Sequence, residues 1–184
     1  MVKCWLLCDN IIDQREECHL NPPIYLDINE FAKIGVEYFY VPTTKMNLEL
    51  ERISIDRGYN YKDEIIVSRD KLLQNYETCV KRFFEEHLHL DDEIRYILDG
   101  CGYFDVRNTD EKWIRIFCEP GDLLILPAGI FHRFTPTKDD YIQVIRLFKG
   151  EPVWTAFNRT DKKVENMDIR KTYLSQIDSR KIIK

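Results

Sequence analysis

The chain has 184 residues with 27 basic and 32 acidic side chains, a formal charge of −5, and 44% hydrophobic and 12% aromatic content. That is enough for one well-filled core and too little for two, and it excludes collagenous, low-complexity and disordered classes. An acidic balance with interspersed signs argues against nucleic acid as a partner, and no stretch approaches the roughly 20 apolar residues that span a bilayer. From residue 1 to about 85 the signals are mixed. Asn21 to Pro23 reads as a loop, Asp27 to Gly35 as a short capped helix ending at glycine, and Val36 to Val41 as a strand stopped by Pro42. Leu48 to Arg57 reads as a helix terminated by Gly58, and Asp63 to Val67 as a short strand. A single helix is expected from Ser68 to about Glu85, with Leu72, Tyr76, Cys79, Val80 and Phe83 at spacings of three and four.

After residue 86 the period changes to two. Strands are expected at Glu93 to Asp99, Tyr103 to Arg107, Trp113 to Phe117, Leu123 to Pro127, Phe131 to Thr135 and Tyr141 to Phe148. Turns are expected at Asn108 to Lys112 and Glu119 to Asp122. Val164 to Gln176 reads as helix, and the tail Lys181 to Lys184 as frayed. The expected fold is mainly β: a small antiparallel barrel with several helices outside it. Residues 1–85 supply mixed elements packed on the barrel, 86–160 the barrel core and 161–184 a C-terminal helix and tail, all one domain. The six cysteines follow no zinc spacing and the N-terminal apolar run is too short for a signal peptide, so free thiols in a soluble intracellular protein are expected.

Only four histidines occur in the chain. In His87-Leu-His89 the strand period sends both imidazoles to one face, and Glu93 keeps the even spacing. His132, on a later strand, comes opposite them if the sheet closes on itself. Three imidazoles and one carboxylate suit Fe²⁺, Ni²⁺, Mn²⁺ or Co²⁺ with two coordination positions left open, where structural zinc would prefer thiolates. Arg146 is a charge inside the apolar strand Val144-Ile-Arg-Leu-Phe148, which favours a pocket role because buried charges need partners. Arg95, two residues after Glu93, shares its face, although by itself it reads more readily as a solvated strand arginine. Phe83 and Phe134 suit either pocket wall or core, Tyr96 and Trp154 suit core, and Glu86 and Asp92 flank the histidines as solvated acids, hydrogen-bond partners or a base.

The spacing His87-x-His89-x3-Glu93-x6-Gly100 followed by Gly121-x5-Pro127-x-Gly129-x2-His132 resembles the two signature motifs of the cupin superfamily, with Lys81 where the first usually opens with glycine and Pro136 where the second usually closes with asparagine. The segments Phe83 to Leu98, Gly102 to Arg107, Leu126 to Phe134 and Arg146 to Thr155 resemble the acireductone dioxygenases more closely still, and the likeness extends to about Ile177. The resemblance implies a cupin-type double-stranded β-helix. It implies His87, His89, Glu93 and His132 as ligands of one Fe²⁺ per chain, with Ni²⁺ as the alternative and Co²⁺ or Mn²⁺ behind them. It also implies Arg95 and Arg146 as catalytic residues, with Phe83, Phe134, Arg95 and Arg146 around the substrate, and Glu86, beside the first ligand, is expected to join them as a base. The implied partners are the acireductone 1,2-dihydroxy-3-keto-5-methylthiopentene and O₂, and the implied setting is a monomer of the cytoplasm, and also the nucleus, acting in methionine salvage. Another cupin dioxygenase, a metal-dependent isomerase or a non-enzymatic adaptor are the competing readings. Because the substrate would be an anion and the protein is acidic, attraction is expected to be local, from the metal and the two arginines.

Overall fold

Period-two patterning builds the frame, and the faces it defines are the faces the molecule uses. The structure, a computed structural model, describes residues 2–152 and 155–182. In chain order the strands are β1 (Lys3–Leu6), β2 (Glu37–Tyr40), β3 (Tyr61–Ser68), β4 (His87–Leu88), β5 (Glu93–Gly100), β6 (Gly102–Arg107), β7 (Trp113–Cys118), β8 (Asp122–Leu126), β9 (His132–Pro136), β10 (Tyr141–Phe148) and β11 (Phe157–Asn158). The helices are α1 (Asn29–Lys33), α2 (Met46–Arg57), α3 (Arg69–Leu72), α4 (Tyr76–Phe83) and α5 (Asp168–Ile182). Two antiparallel sheets result, ordered β1-β7-β6-β9-β4-β11 and β2-β8-β5-β10-β3. The mainly β, cupin-type reading holds.

The main core lies between the sheets. Phe104 and Val106 of β6, Ile114 and Ile116 of β7, Ile97 of β5, Leu124 of β8 and Val144 of β10 belong to it. The alternate residues of the second sheet, Ile94, Tyr96, Leu123, Ile125, Ile145 and Leu147, face outward into a separate cluster with Leu50 of α2. β5 and β10 are therefore covered on both faces, and each such aliphatic or aromatic side chain contributes about 1.5–3 kcal/mol by leaving water. Tyr96 is core, as expected, and its hydroxyl donates to the Val41 carbonyl at 3.0 Å. Strict alternation has a second consequence. With Ile97 and Val144 turned inward, Glu93, Arg95 and Arg146 must face the interior as well.

Three local expectations need correction. The helix expected from Ser68 to Glu85 is broken: α3 is capped by the Ser68 hydroxyl, which accepts from the Lys71 amide, and the chain then turns at Leu73, a non-glycine residue at φ 47°. Periodicity cannot show such a break, since each half keeps the spacing about its own axis. The turn lets α4 lie under β9 with Tyr76 and Val80 buried. At the C-terminus, Val164–Asn166 is a 3-10 turn, and α5 starts at Asp168 and includes Lys181 and Ile182, which were expected to fray. The N-terminal Lys3–Leu6, read only as a short apolar run, is strand β1 on β7. Trp154, expected in the core, lies outside the described residues.

Candidate metal centre

The site sits where the two sheets approach at one end of the core. β4 and β9 pair so that His87 stands directly opposite His132. His89 follows β4 by one residue, and its backbone is held where its carbonyl accepts from the Gly129 amide at 3.1 Å. The Asp92 carboxylate accepts from the Ala128 amide at 3.0 Å, tying the bend after His89 to the turn before His132. Gly129 makes that turn possible. It has φ 83°, and a Cβ there would stand 2.7 Å from the Ile169 carbonyl oxygen.

Glu93 arrives from the other sheet, through the pairing of β5 with β8. The ring centroids of His87 and His132 are 4.4 Å apart, those of His87 and His89 5.0 Å, and those of His89 and His132 5.3 Å. Ligand atoms of the three rings all lie within 4.8 Å of one another. Glu93 Oε2 is 3.2 Å from His89 Nε2 and 3.5 Å from His132 Nε2. The four residues that spacing singled out are thus brought together.

Each ring is oriented from behind. His87 Nδ1 lies 2.7 Å from the Glu85 carbonyl, His89 Nδ1 2.9 Å from the Thr155 carbonyl and His132 Nδ1 3.1 Å from the Ile130 carbonyl. A carbonyl only accepts, so each Nδ1 carries a proton and each Nε2 is the position left to bind. His132 Nε2 is buried with no hydrogen-bond partner, a costly state for a polar atom unless something else completes it. Burial, with His132 beside it, pushes the pKa of His87 down to about 3, so its imidazole is neutral. Burial also penalises the Glu93 carboxylate, but Arg95, His132 and His89 outweigh it and hold Glu93 well below the usual carboxylate range. Burial opposes a proton on His89 too, but Glu93 beside it outweighs burial and raises its pKa, so a bound cation would displace a proton there. Three imidazole nitrogens and one carboxylate fit a divalent cation of the first transition row.

The cluster opens into a cavity of about 950 Å³. Arg95 and Arg146 line it as cross-strand partners on β5 and β10. Each is tethered: Arg95 Nη2 lies 3.0 Å from Glu93 Oε2, and Arg146 makes a bidentate pair with Asp63 at 2.8 and 2.7 Å. Phe83 and Phe134 line the wall edge to face at 6.3 Å, and Phe134 also packs on Phe104 at 4.9 Å. Gly102 makes room for that stack, because a Cβ there would meet the Phe134 ring at 2.6 Å.

Glu86 is a correction. It does not line the cavity; its carboxylate accepts two bonds from Arg107 at 2.9 Å each and one from Arg159 at 2.7 Å. Its side chain turns away from the cavity, while its neighbour Glu85 lines the wall with His87. Sequence reasoning missed Asp63, whose partner is 83 residues away, and the three carbonyls behind the histidines, which carry no side-chain signal.

Two facing antiparallel sheets with this donor set at one end define a metal-binding cupin. A family model described as the ARD/ARD' family matches residues 3–156, and the chain belongs to this family, that of the acireductone dioxygenases. It is 55% identical over 163 residues to an acireductone dioxygenase of Ixodes scapularis, covering 86% of this chain and 88% of that one. To the Homo sapiens acireductone dioxygenase it is 49% identical over 161 residues, covering 86% and 89%. The fold is shared with a solved acireductone dioxygenase from Bacillus anthracis, described with a cadmium ion in its active centre, at a TM-score of 0.69 and 24% identity over 85% of this chain and 98% of that one.

Proposed function

We propose that the chain is a metal-dependent acireductone dioxygenase that cleaves 1,2-dihydroxy-3-keto-5-methylthiopentene with O₂ to 4-methylthio-2-oxobutanoate and formate with Fe²⁺ bound, in methionine salvage. With Ni²⁺ the products would be methylthiopropionate, formate and carbon monoxide. The observation that carries the reading is the convergence of His87, His89, His132 and Glu93 on one point at the wall of a cavity that also holds Arg95 and Arg146. His87, His89, Glu93 and His132 are the ligands of one ion. When bound, that ion supplies Lewis acidity and two open positions for a chelating enediolate, whose own electrons are the ones O₂ accepts.

The chain's residues do the rest. Asp63 fixes the Arg146 guanidinium, and Glu93 together with the Ile94 carbonyl fixes that of Arg95, so both present N–H groups at set positions to an anionic substrate. Phe83, Phe134 and Phe104 form an apolar wall that excludes water and takes the hydrocarbon part of the substrate. Glu86, saturated by arginines, takes no proton in the reaction.

Fe²⁺-loaded protein mixed with the acireductone in air tests the reading. The enediol absorbance should fall with one O₂ consumed and one formate released per substrate. A reaction without O₂ uptake would move the chain to the isomerase class, and no reaction would sink the proposal.

A further inference from the structure

The two arginines inside the cavity are both engaged with carboxylates, Arg95 with Glu93 and Arg146 with Asp63. The attraction for an anion that the sequence reading placed there is to that extent already balanced. Lys81 and Arg82 differ. Both lie in the last turn of α4, both line the cavity, both are exposed, and neither carries a carboxylate partner among the described residues. Arg82 rests over the ring of Phe83 at 5.9 Å, which holds it beside the wall. Beside them α4 contributes the neutral Cys79 thiol, and the other charged group of this rim is Glu85, whose carboxylate accepts from the Asn158 amide at 2.5 Å. The rim therefore carries two positive charges against one negative, on a protein whose formal charge is −5.

We propose that Lys81 and Arg82 form a steering rim that draws small chelating dianions to the cavity against the repulsion of the whole molecule. The proposal rests on the metal-dioxygenase reading for the identity of the natural dianion, while the rim's charge and position are independent of it. At an ionic strength where the Debye length is about 10 Å, charges at a cavity mouth act on an approaching anion and distant surface charges are screened. Rim cations then raise the association rate rather than the chemical step, and steering of this kind is worth about 10- to 1,000-fold in rate. The charges also lie at a helix C-terminus, where they offset the negative end of the α4 dipole.

The test uses the double variant K81E/R82E with full-length, metal-loaded protein, and K45E/R52E as a control that changes net charge equally at exposed positions away from the cavity. Two readouts are taken across a salt series: kcat and kcat/KM with the acireductone, and the stopped-flow association rate of oxalate, a redox-inert chelating dianion, with Co²⁺-loaded protein. The rim variant should lose about tenfold in kcat/KM and in the oxalate rate at low salt, keep kcat within about twofold, and converge on wild type near 0.5 M salt. Unchanged rates, or an equal loss in K45E/R52E, would overturn the rim. If wild type does not turn over the acireductone, the functional proposal falls and the oxalate rate alone decides the rim.

Discussion

Two buried charge clusters meet at adjacent residues of β9, His132 and Arg133, and they are built on opposite principles. In the first, Asp105 accepts two bonds from Arg115 at 2.7 and 2.8 Å and one from Arg133 at 2.9 Å, and Arg115 also donates to the Gln14 carbonyl at 3.0 Å and to the Glu16 carbonyl. Arg115 is fully buried, and the rings of Tyr103 and Phe84 lie beside it. Donors face acceptors, and the cluster is closed by its own members except at Arg133 Nη2, which has no hydrogen-bond partner and whose guanidinium lies over the Phe84 and Trp113 rings. In the second, the Nε2 atoms of three histidines face one another and a carboxylate. Lone pairs converge there, with Arg95 donating to the carboxylate, and an added cation would complete the arrangement. A buried polar cluster in which cations meet an anion is architecture, whereas one that converges lone pairs on a common point is a binding site.

That contrast predicts different consequences for similar substitutions. The largest effect is expected from H132A, which removes a donor that nothing else replaces. Metal content at equilibrium and O₂-dependent turnover should fall together by more than about 100-fold, the upper end of what losing only an outer hydrogen bond costs, while urea unfolding of the metal-free protein changes little. Full turnover in a metal-free H132A protein would break the comparison. Next comes D105A, which strands Arg115 and Arg133 without their anion. A loss of about 3–5 kcal/mol in urea unfolding is expected, with metal content per folded molecule unchanged. Metal loss without destabilisation would mean that the two clusters are one.

The smallest effect concerns pH. Burial opposes ionisation of Glu86, but Arg107 and Arg159 outweigh it and lower its pKa below the ordinary value. A depressed folded-state pKa makes the unfolded chain bind more protons, so this contribution is full above the unfolded carboxylate pKa and disappears as pH falls through the lower folded one. Stability measured from pH 6 down to about pH 3 should therefore drop less steeply in E86Q than in wild type. Equal slopes would show that Glu86 is not held by its arginines.

How much was readable in advance depended on range. The ligand quartet was legible because His87, His89 and Glu93 are local and obey a period of two, and His132 follows a turn marked by Pro127 and Gly129. Arg146 was legible as a charge inside an apolar strand, whereas Arg95 by itself read as a solvated strand arginine and only the family resemblance assigned it to the site. The break at Leu73 was not, because the apolar spacing of Leu72, Tyr76 and Val80 continues through it. Glu86 was misplaced because adjacency in sequence to a ligand was taken for adjacency in space.

Composition and periodicity by themselves determined the class of fold, the faces of its strands and the donors of the site, since these depend on local backbone geometry and on which side chains water rejects. Tertiary structure alone decided which charges were already balanced. Asp63 reaches Arg146 only because β3 pairs with β10, and Glu93 meets the histidines only because β5 lies in the sheet facing theirs. Those pairings join residues far apart in the chain, and pairing decides charge balance because the attraction between charges depends on their distance in space. The four histidines that stood out as scarce are now distinct in kind: three are oriented by carbonyls toward one point, and His19 rests on Trp5 at 4.6 Å with its Nε2 2.9 Å from Glu17.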